Sequence, residues 1–184
     1  IDLNQKLIKN QITKYNLGNA RFEINNRGKN TILVVGQVEN DASIRFGTST
    51  INTNLKLLQT VRKKFPEAFI IYKPHPDVVA GIRKKGENEV LGKQCYDLRV
   101  ESGDALALFD KVDSVHTMTS LVGFEALLRN KKVYTYGQPF YSGWGLTIDV
   151  MPVMRRNRQL SLEELVAGSL IRYPTYISLS LIHI

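Results

Sequence analysis

The apolar positions of this chain fall into short runs separated by longer amphipathic stretches. TILVV, residues 31–35, is an unbroken apolar and β-branched run, the pattern of a strand buried on both faces. AFIIYK (68–73) reads as a second buried strand, and VDSVHT (112–117) and KKVYTY (131–136) as two more. Between them the period changes. INTNLKLLQTVRKKF (51–65) places Ile51, Leu55, Leu58 and Val61 at helical spacing, and Pro66 ends it. TSLVGFEALLRN (119–130) places Leu121, Phe124, Leu127 and Leu128 on one face, with Thr119 or Ser120 as the cap. DALALFD (104–110) and SLEELVAGSL (161–170) predict shorter helices, and Ser161 and Glu164 stand at the spacing of a capping box. Strands alternating with helices predict an α/β fold: a Rossmann-like parallel sheet with helices on both faces.

Residues 1–30 are polar and rich in Asn and Lys. They read as a helix, QKLIKNQITKY, then a loop containing NNRG, together a linker from an upstream domain. Nothing repeats internally, and no segment is of low complexity.

In a parallel sheet, ligands bind at the carboxyl ends of the strands. Four polar or special loops directly follow strands here, so all four are expected on one rim. GQVENDAS (36–43) places Gln37, Glu39, Asp41 and Ser43 at the mouth of the core. Its carboxylates are either solvated loop residues or a nucleophile or base toward an anomeric carbon. KPHP (73–76) holds Lys73 and His75 in a turn stiffened by Pro74 and Pro76, which suits a phosphate; the bland reading is a turn whose imidazole bonds a carbonyl. TMTSLVGFE (117–125) offers a helix N-terminus behind hydroxyls, an anion site or a plain cap, with Glu125 a turn further on. GQPFYSGWG (137–145) combines glycines with Phe140, Tyr141 and Trp144, which serve a ligand wall or a core plug equally well.

Composition narrows the partner more than the fold. The 184 residues, 43% hydrophobic and 23% charged, are ordinary for one globular domain. A net charge of +8 favours an anionic partner, or else marks a solvated basic face. The single Cys95 rules out an internal disulfide and a cysteine metal cluster. Carboxylates do not surround His75 and His116 at ligand spacing, so no metal is expected. P-loop and GxGxxG motifs are absent, and aromatic and basic residues form no stripe of the kind that grips single-stranded nucleic acid.

Taken together, GQVENDAS, YKPHPDV, the run VESGDALALFDKVDSVHTMTSLVGFEALLRNKKVYTYGQPFYSGWGLT and the later RRNRQLSLEELV resemble the bacterial capsule polysaccharide biosynthesis family, the KpsC/LipB-type retaining β-Kdo glycosyltransferases. The resemblance covers about residues 30 to 176, and its most specific part is the run around 116–147. It implies the C-terminal, donor-binding half of a GT-B enzyme with two Rossmann-like domains, using CMP-Kdo and no metal. Residues 31–176 then form a nucleotide-sugar-binding domain, and the acceptor-binding half is expected upstream. The resemblance implies a lipid-linked, phosphatidylglycerol-type acceptor and a place at the inner face of the bacterial cytoplasmic membrane. By position in the motifs, Asp41 is the carboxylate that forms the covalent sugar adduct, with Gln37 and Glu39 shaping its pocket. His75 meets the CMP phosphate beside Thr119 and Ser120, Glu125 meets the ribose, and Gln138 the nucleotide or sugar. ISLSLIHI (177–184) departs from the family's polar continuation and reads as a foreign tail, or as a native strand. Other readings are a CMP-sialic-acid-type transferase, a nucleotide-sugar-binding module without catalysis, and a basic nucleic-acid-binding domain. Arg155, Arg156 and Arg158 are placed to meet anionic lipid or to form a solvated face.

Overall fold

A computed structural model of the chain describes residues 3–10, 12, 24–84, 86 and 89–175. In chain order the elements are α1 (Leu3–Lys9), β1 (Thr31–Val35), α2 (Ala42–Gly47), α3 (Asn54–Lys64), β2 (Phe69–Lys73) and α4 (Pro76–Val79). A 3-10 turn (Glu89–Cys95), β3 (Leu98–Arg99), α5 (Leu106–Phe109), β4 (Ser114–Thr117) and α6 (Leu121–Leu128) follow. The last are β5 (Lys132–Thr135), β6 (Ile148–Asp149), α7 (Leu162–Val166) and a π-helical turn (Ala167–Arg172).

The six strands form one parallel sheet in the order β3-β2-β1-β4-β5-β6. That is the order of the doubly wound Rossmann sheet, and the winding reverses between β1 and β4. Alternate residues of each strand feed two core layers. Ile32, Val34, Ile70 and Tyr72 meet Leu57, Leu58 and Val61 of α3 on one face. Leu33, Val35 and Ile71 meet Leu108, Phe109, Phe124 and Leu165 on the other. Each such side chain contributes about 1.5–3 kcal/mol by leaving water, so β1, buried at all five positions, anchors both layers.

The predicted helices are present with shifted details. The helix expected over 51–65 begins at Asn54, because the Thr53 hydroxyl accepts the Lys56 N–H at 3.2 Å and caps it. Ile51 therefore precedes the helix, and Leu57 joins Leu58 and Val61 on the buried face while Leu55 is half-buried. Ser120 caps α6 rather than Thr119, and Leu121 of the expected apolar face is 38% exposed. The capping box of α7 forms with both its hydrogen bonds. From α1, Leu3 and Leu7 pack on the α6 side of the core. Residues 13–23 of the expected linker and the tail 177–184 lie outside the described residues. No helix among the described residues is long and apolar enough to cross a membrane.

Candidate active site

The reversal of winding sends the chain to opposite faces after β1 and β4, and a cleft of about 330 Å³ opens between their carboxyl ends. Four segments line it: Val35–Val38 with Asp41 and Ser43, Lys73–Pro76, Gly103–Ala105, and Thr119–Val122 with Glu125.

Gln37 holds the first wall to the last. Its Oε1 accepts the Thr119 N–H at 2.8 Å and the Thr117 hydroxyl at 3.2 Å, and its Nε2 donates to Thr119 Oγ1 at 2.9 Å. On the other side its backbone N–H and C=O both bond the carboxamide of Asn54, at 2.9 Å each. The residue is thus a clamp joining the ends of β1 and β4 to the start of α3. Gly36 before it is required by contact: a Cβ there would lie 2.7 Å from the Tyr72 hydroxyl and 3.1 Å from the Pro74 Cα.

The two carboxylates of this loop part company. Asp41 is exposed, lines the cleft and caps α2, its Oδ1 accepting the Ser43 N–H at 3.2 Å. Glu39 turns away from the cleft lining and accepts the Asn54 N–H at 2.7 Å, at the head of α3. Ser43 follows Asp41 on the same rim.

His75 caps α4. Its Nδ1 accepts the Asp77 N–H at 3.2 Å, so the neutral ring carries its proton on Nε2. The Asp77 carboxylate stands 3.8 Å from the same Nδ1. Lys73, the last residue of β2, is buried, and its Nζ donates to the Ser102 carbonyl at 3.3 Å. Burial pushes its pKa down, and the Asp104 carboxylate partly restores it. At the β4 side, the first turn of α6 faces the cleft through Thr119, Ser120, Leu121 and Val122, presenting the positive end of the helix dipole. Glu125 is buried on that helix and lines the cleft.

Of the predicted residues, Gln37, Asp41, Ser43, Lys73, His75, Pro76, Thr119, Ser120 and Glu125 share one cleft, while Glu39 and Gln138 are outside its lining. Three of the four expected loops meet. The fourth, 137–145, does not reach the cleft: Tyr141 is fully buried in the core and Gln138 bonds the Pro152 carbonyl at 2.9 Å. Its place is taken by Gly103–Ala105 with Asp104, which follow β3. The sequence signal was the SGD turn opening DALALFD, where Asp104 Oδ1 accepts the Leu106 N–H at 3.2 Å. No group of three or more His, Cys, Asp or Glu side chains among the described residues is arranged to hold a metal ion.

A doubly wound sheet with a polar cleft at its switch point defines an α/β domain of the Rossmann class. The chain belongs to the capsule polysaccharide biosynthesis protein family, whose model matches residues 2–176. It is 52% identical over 177 residues to the capsule polysaccharide modification protein LipA of Neisseria meningitidis serogroup B, covering 96% of this chain and 25% of that protein. It is 46% identical to the lipopolysaccharide-processing protein LpsZ of Rhizobium meliloti, over 90% of this chain and 38% of that one. Among solved structures, the β-Kdo 2,7 transferase of Thermosulfurimonas dismutans KpsC superposes with a TM-score of 0.75 at 47% identity, over 85% of this chain and 50% of that chain. The β-Kdo 2,4 transferase of the same KpsC superposes with a TM-score of 0.82 at 30% identity, over 95% and 55%. The chain therefore spans about half of these solved chains, and less of the curated relatives.

Proposed function

We propose that this chain is the donor-binding half of a retaining β-Kdo glycosyltransferase, which takes the sugar from CMP-Kdo and delivers it to a lipid-linked, phosphatidylglycerol-type acceptor at the inner face of the cytoplasmic membrane. The observation that carries the reading is a coincidence of two facts. The likeness to two β-Kdo transferases falls on this domain, and its switch-point cleft brings the Asp41 carboxylate together with His75 and the start of α6.

The chemistry follows from those groups. Retention needs two inversions, hence a nucleophile supplied by the protein. The Asp41 carboxylate attacks the anomeric carbon, the bond from that carbon to the phosphate oxygen breaks, and CMP departs with the bonding electrons. An acceptor hydroxyl then attacks the same carbon as its proton passes to a phosphate oxygen of the departing CMP or to water, and the bond from that carbon to Asp41 breaks, which restores the carboxylate. The departing phosphate gathers charge, and the Nε2–H of His75 and the helix terminus behind Thr119 and Ser120 are fixed donors and dipoles for it. The Ser43 N–H holds the nucleophile's other role, the cap of α2, in a set orientation. Glu39 acts through position, tying the turn that carries Asp41 to α3.

Asp41→Asn tests this directly, because Asn caps a helix as well as Asp and leaves the fold alone. In the enzyme that includes the acceptor half, transfer from CMP-Kdo is expected to fall about 10³-fold or more, with CMP affinity retained. Normal transfer by Asp41→Asn rules out the nucleophile.

A further inference from the structure

The cleft has two chemically different ends. At one, His75 and the start of α6 suit an anion. At the other, three ionisable side chains are buried together: Lys73 is 7% exposed, Asp104 9% and Glu125 6%. Lys73 leaves β2 on the same face as Ile71, the face covered by α5 and α6, and its ammonium bonds the carbonyl of Ser102, two residues before Asp104. Asp104 is fixed by accepting the Leu106 N–H at the start of α5, and Glu125 stands four residues beyond Leu121, about 6 Å along α6. Lys73 faces Asp104, and the Arg129 guanidinium faces both Asp104 and Glu125, so the charges at this end are balanced within the protein and leave no surplus cation for a second phosphate. What it offers a ligand is an acceptor-only carboxylate beside a donor-only ammonium.

We infer that Lys73 and Asp104 read the nucleobase and select cytosine over uracil, Asp104 accepting from the 4-amino group and Lys73 donating to ring N3 or the 2-oxo oxygen. This rests on the donor-site reading above, in which the phosphate occupies the His75 end and the ribose lies between, against Glu125. The chemistry is complementary in one sense only. Cytosine pairs a donor amino group with an acceptor nitrogen, and a carboxylate is the usual side-chain partner for that amino group. Uracil inverts both: its 4-oxo oxygen faces the carboxylate and its N3–H faces the ammonium. In a buried site the mismatched groups lose their hydration without replacement, which is how such a site rejects an analogue.

The test is calorimetric titration of CMP and UMP into the 184-residue chain and into Asp104→Asn. The amide keeps an oxygen for the Leu106 N–H and presents an N–H donor to the 4-oxo group. The chain itself is expected to prefer CMP by about tenfold or more, and Asp104→Asn to bring the ratio to near unity or reverse it. Asp104→Ser, whose hydroxyl can still accept a nearby backbone N–H but which removes the carboxylate, is expected to abolish the preference without favouring UMP. A CMP preference that survives in both folded variants overturns the inference and leaves the donor reading standing. CMP and UMP bound equally by the unmodified chain also overturn the inference. Absence of binding by either nucleotide overturns the donor reading, and the inference with it.

Discussion

After β4 the chain passes through Met118, Thr119 and Ser120 into α6 and lines the cleft; after β5, one strand over, it passes through Gly137–Gly145 and turns back onto the core. Both segments leave parallel strands at the same edge, and both carry hydroxyls. They differ in what stands beside them. The β4 segment flanks the reversal of winding, where its neighbour from β1 departs to the other face and leaves room. The β5 segment has no such gap. There Tyr141 packs into the core instead, fully buried, its hydroxyl donating to the Ser120 carbonyl. Arg156 staples the loop, donating to the carbonyls of Pro139 and Ser142 at 2.6 Å each while its guanidinium lies 5.2 Å from the Trp144 ring centroid. Gly123 of α6 is held close under Tyr141, where a Cβ would collide with the phenol oxygen. The plug therefore braces the start of α6 from behind, and one loop supports what the other presents.

Removing the plug has the largest expected effect. Tyr141→Ala deletes a fully buried ring and should cost about 3–5 kcal/mol of folding stability, read from urea unfolding. A loss below about 1 kcal/mol would mean that the loop is not part of the core.

His75 and His116 sharpen the same contrast. His75 sits on a loop of the cleft, whereas His116, inside β4, has no exposure. It lies between the Ser114 hydroxyl at 3.2 Å and the Tyr136 hydroxyl at 2.9 Å, stacked on Tyr134 at 4.2 Å. Burial, aided by the charges of Lys64 and Lys132, pushes its pKa down from 6.5 to about 3. The folded protein thus keeps His116 neutral over a range in which the unfolded chain protonates it. Its contribution is complete above pH 6.5 and drains away as the pH falls toward about 3. Between pH 6.5 and 5 this predicts a loss on the order of 2 kcal/mol, and His116→Gln should flatten that part of the stability–pH curve. An unchanged slope in the variant would assign acid sensitivity elsewhere.

Much of this was legible in the sequence for a physical reason. Inner strands of a parallel sheet are covered on both faces, so β1 and most of β2 appear as apolar runs, while β4 (SVHT) and β5 (KVYT) show through their β-branched and aromatic residues. β3 and β6 are two residues each, too short for any period, and with β3 hidden the loop carrying Asp104 had no strand to follow. The clamp at Gln37 was equally invisible, since its partners Thr117 and Thr119 lie 80 and 82 residues away. For 137–145 the residues themselves suited a wall or a plug, and only the burial of Tyr141 decides between them.

At the cleft, His75→Ala should weaken CMP binding about tenfold, the usual worth of one charge-assisted contact, and cost about 1 kcal/mol of stability as a lost cap. Titration and urea unfolding on one sample separate the two effects. Affinity unchanged beside a lost cap would restrict His75 to a structural role.

The smallest effect separates the two carboxylates of GQVENDAS. Glu39 and Asp41 are two residues apart, and each accepts a backbone N–H at the head of a helix, from Asn54 and Ser43 respectively. Asp41 does so from the cleft rim and Glu39 from outside the lining. Glu39→Gln keeps an oxygen for the Asn54 N–H and loses the charge facing the α3 dipole, so it should cost about 0.5–1 kcal/mol. CMP affinity should stay within twofold by the same titration, since an affinity term requires contact or a moved wall. A larger loss of affinity in a variant of normal stability would place Glu39 beside Asp41 in the chemistry, and the division between supporting and presenting residues would then fail within a single turn.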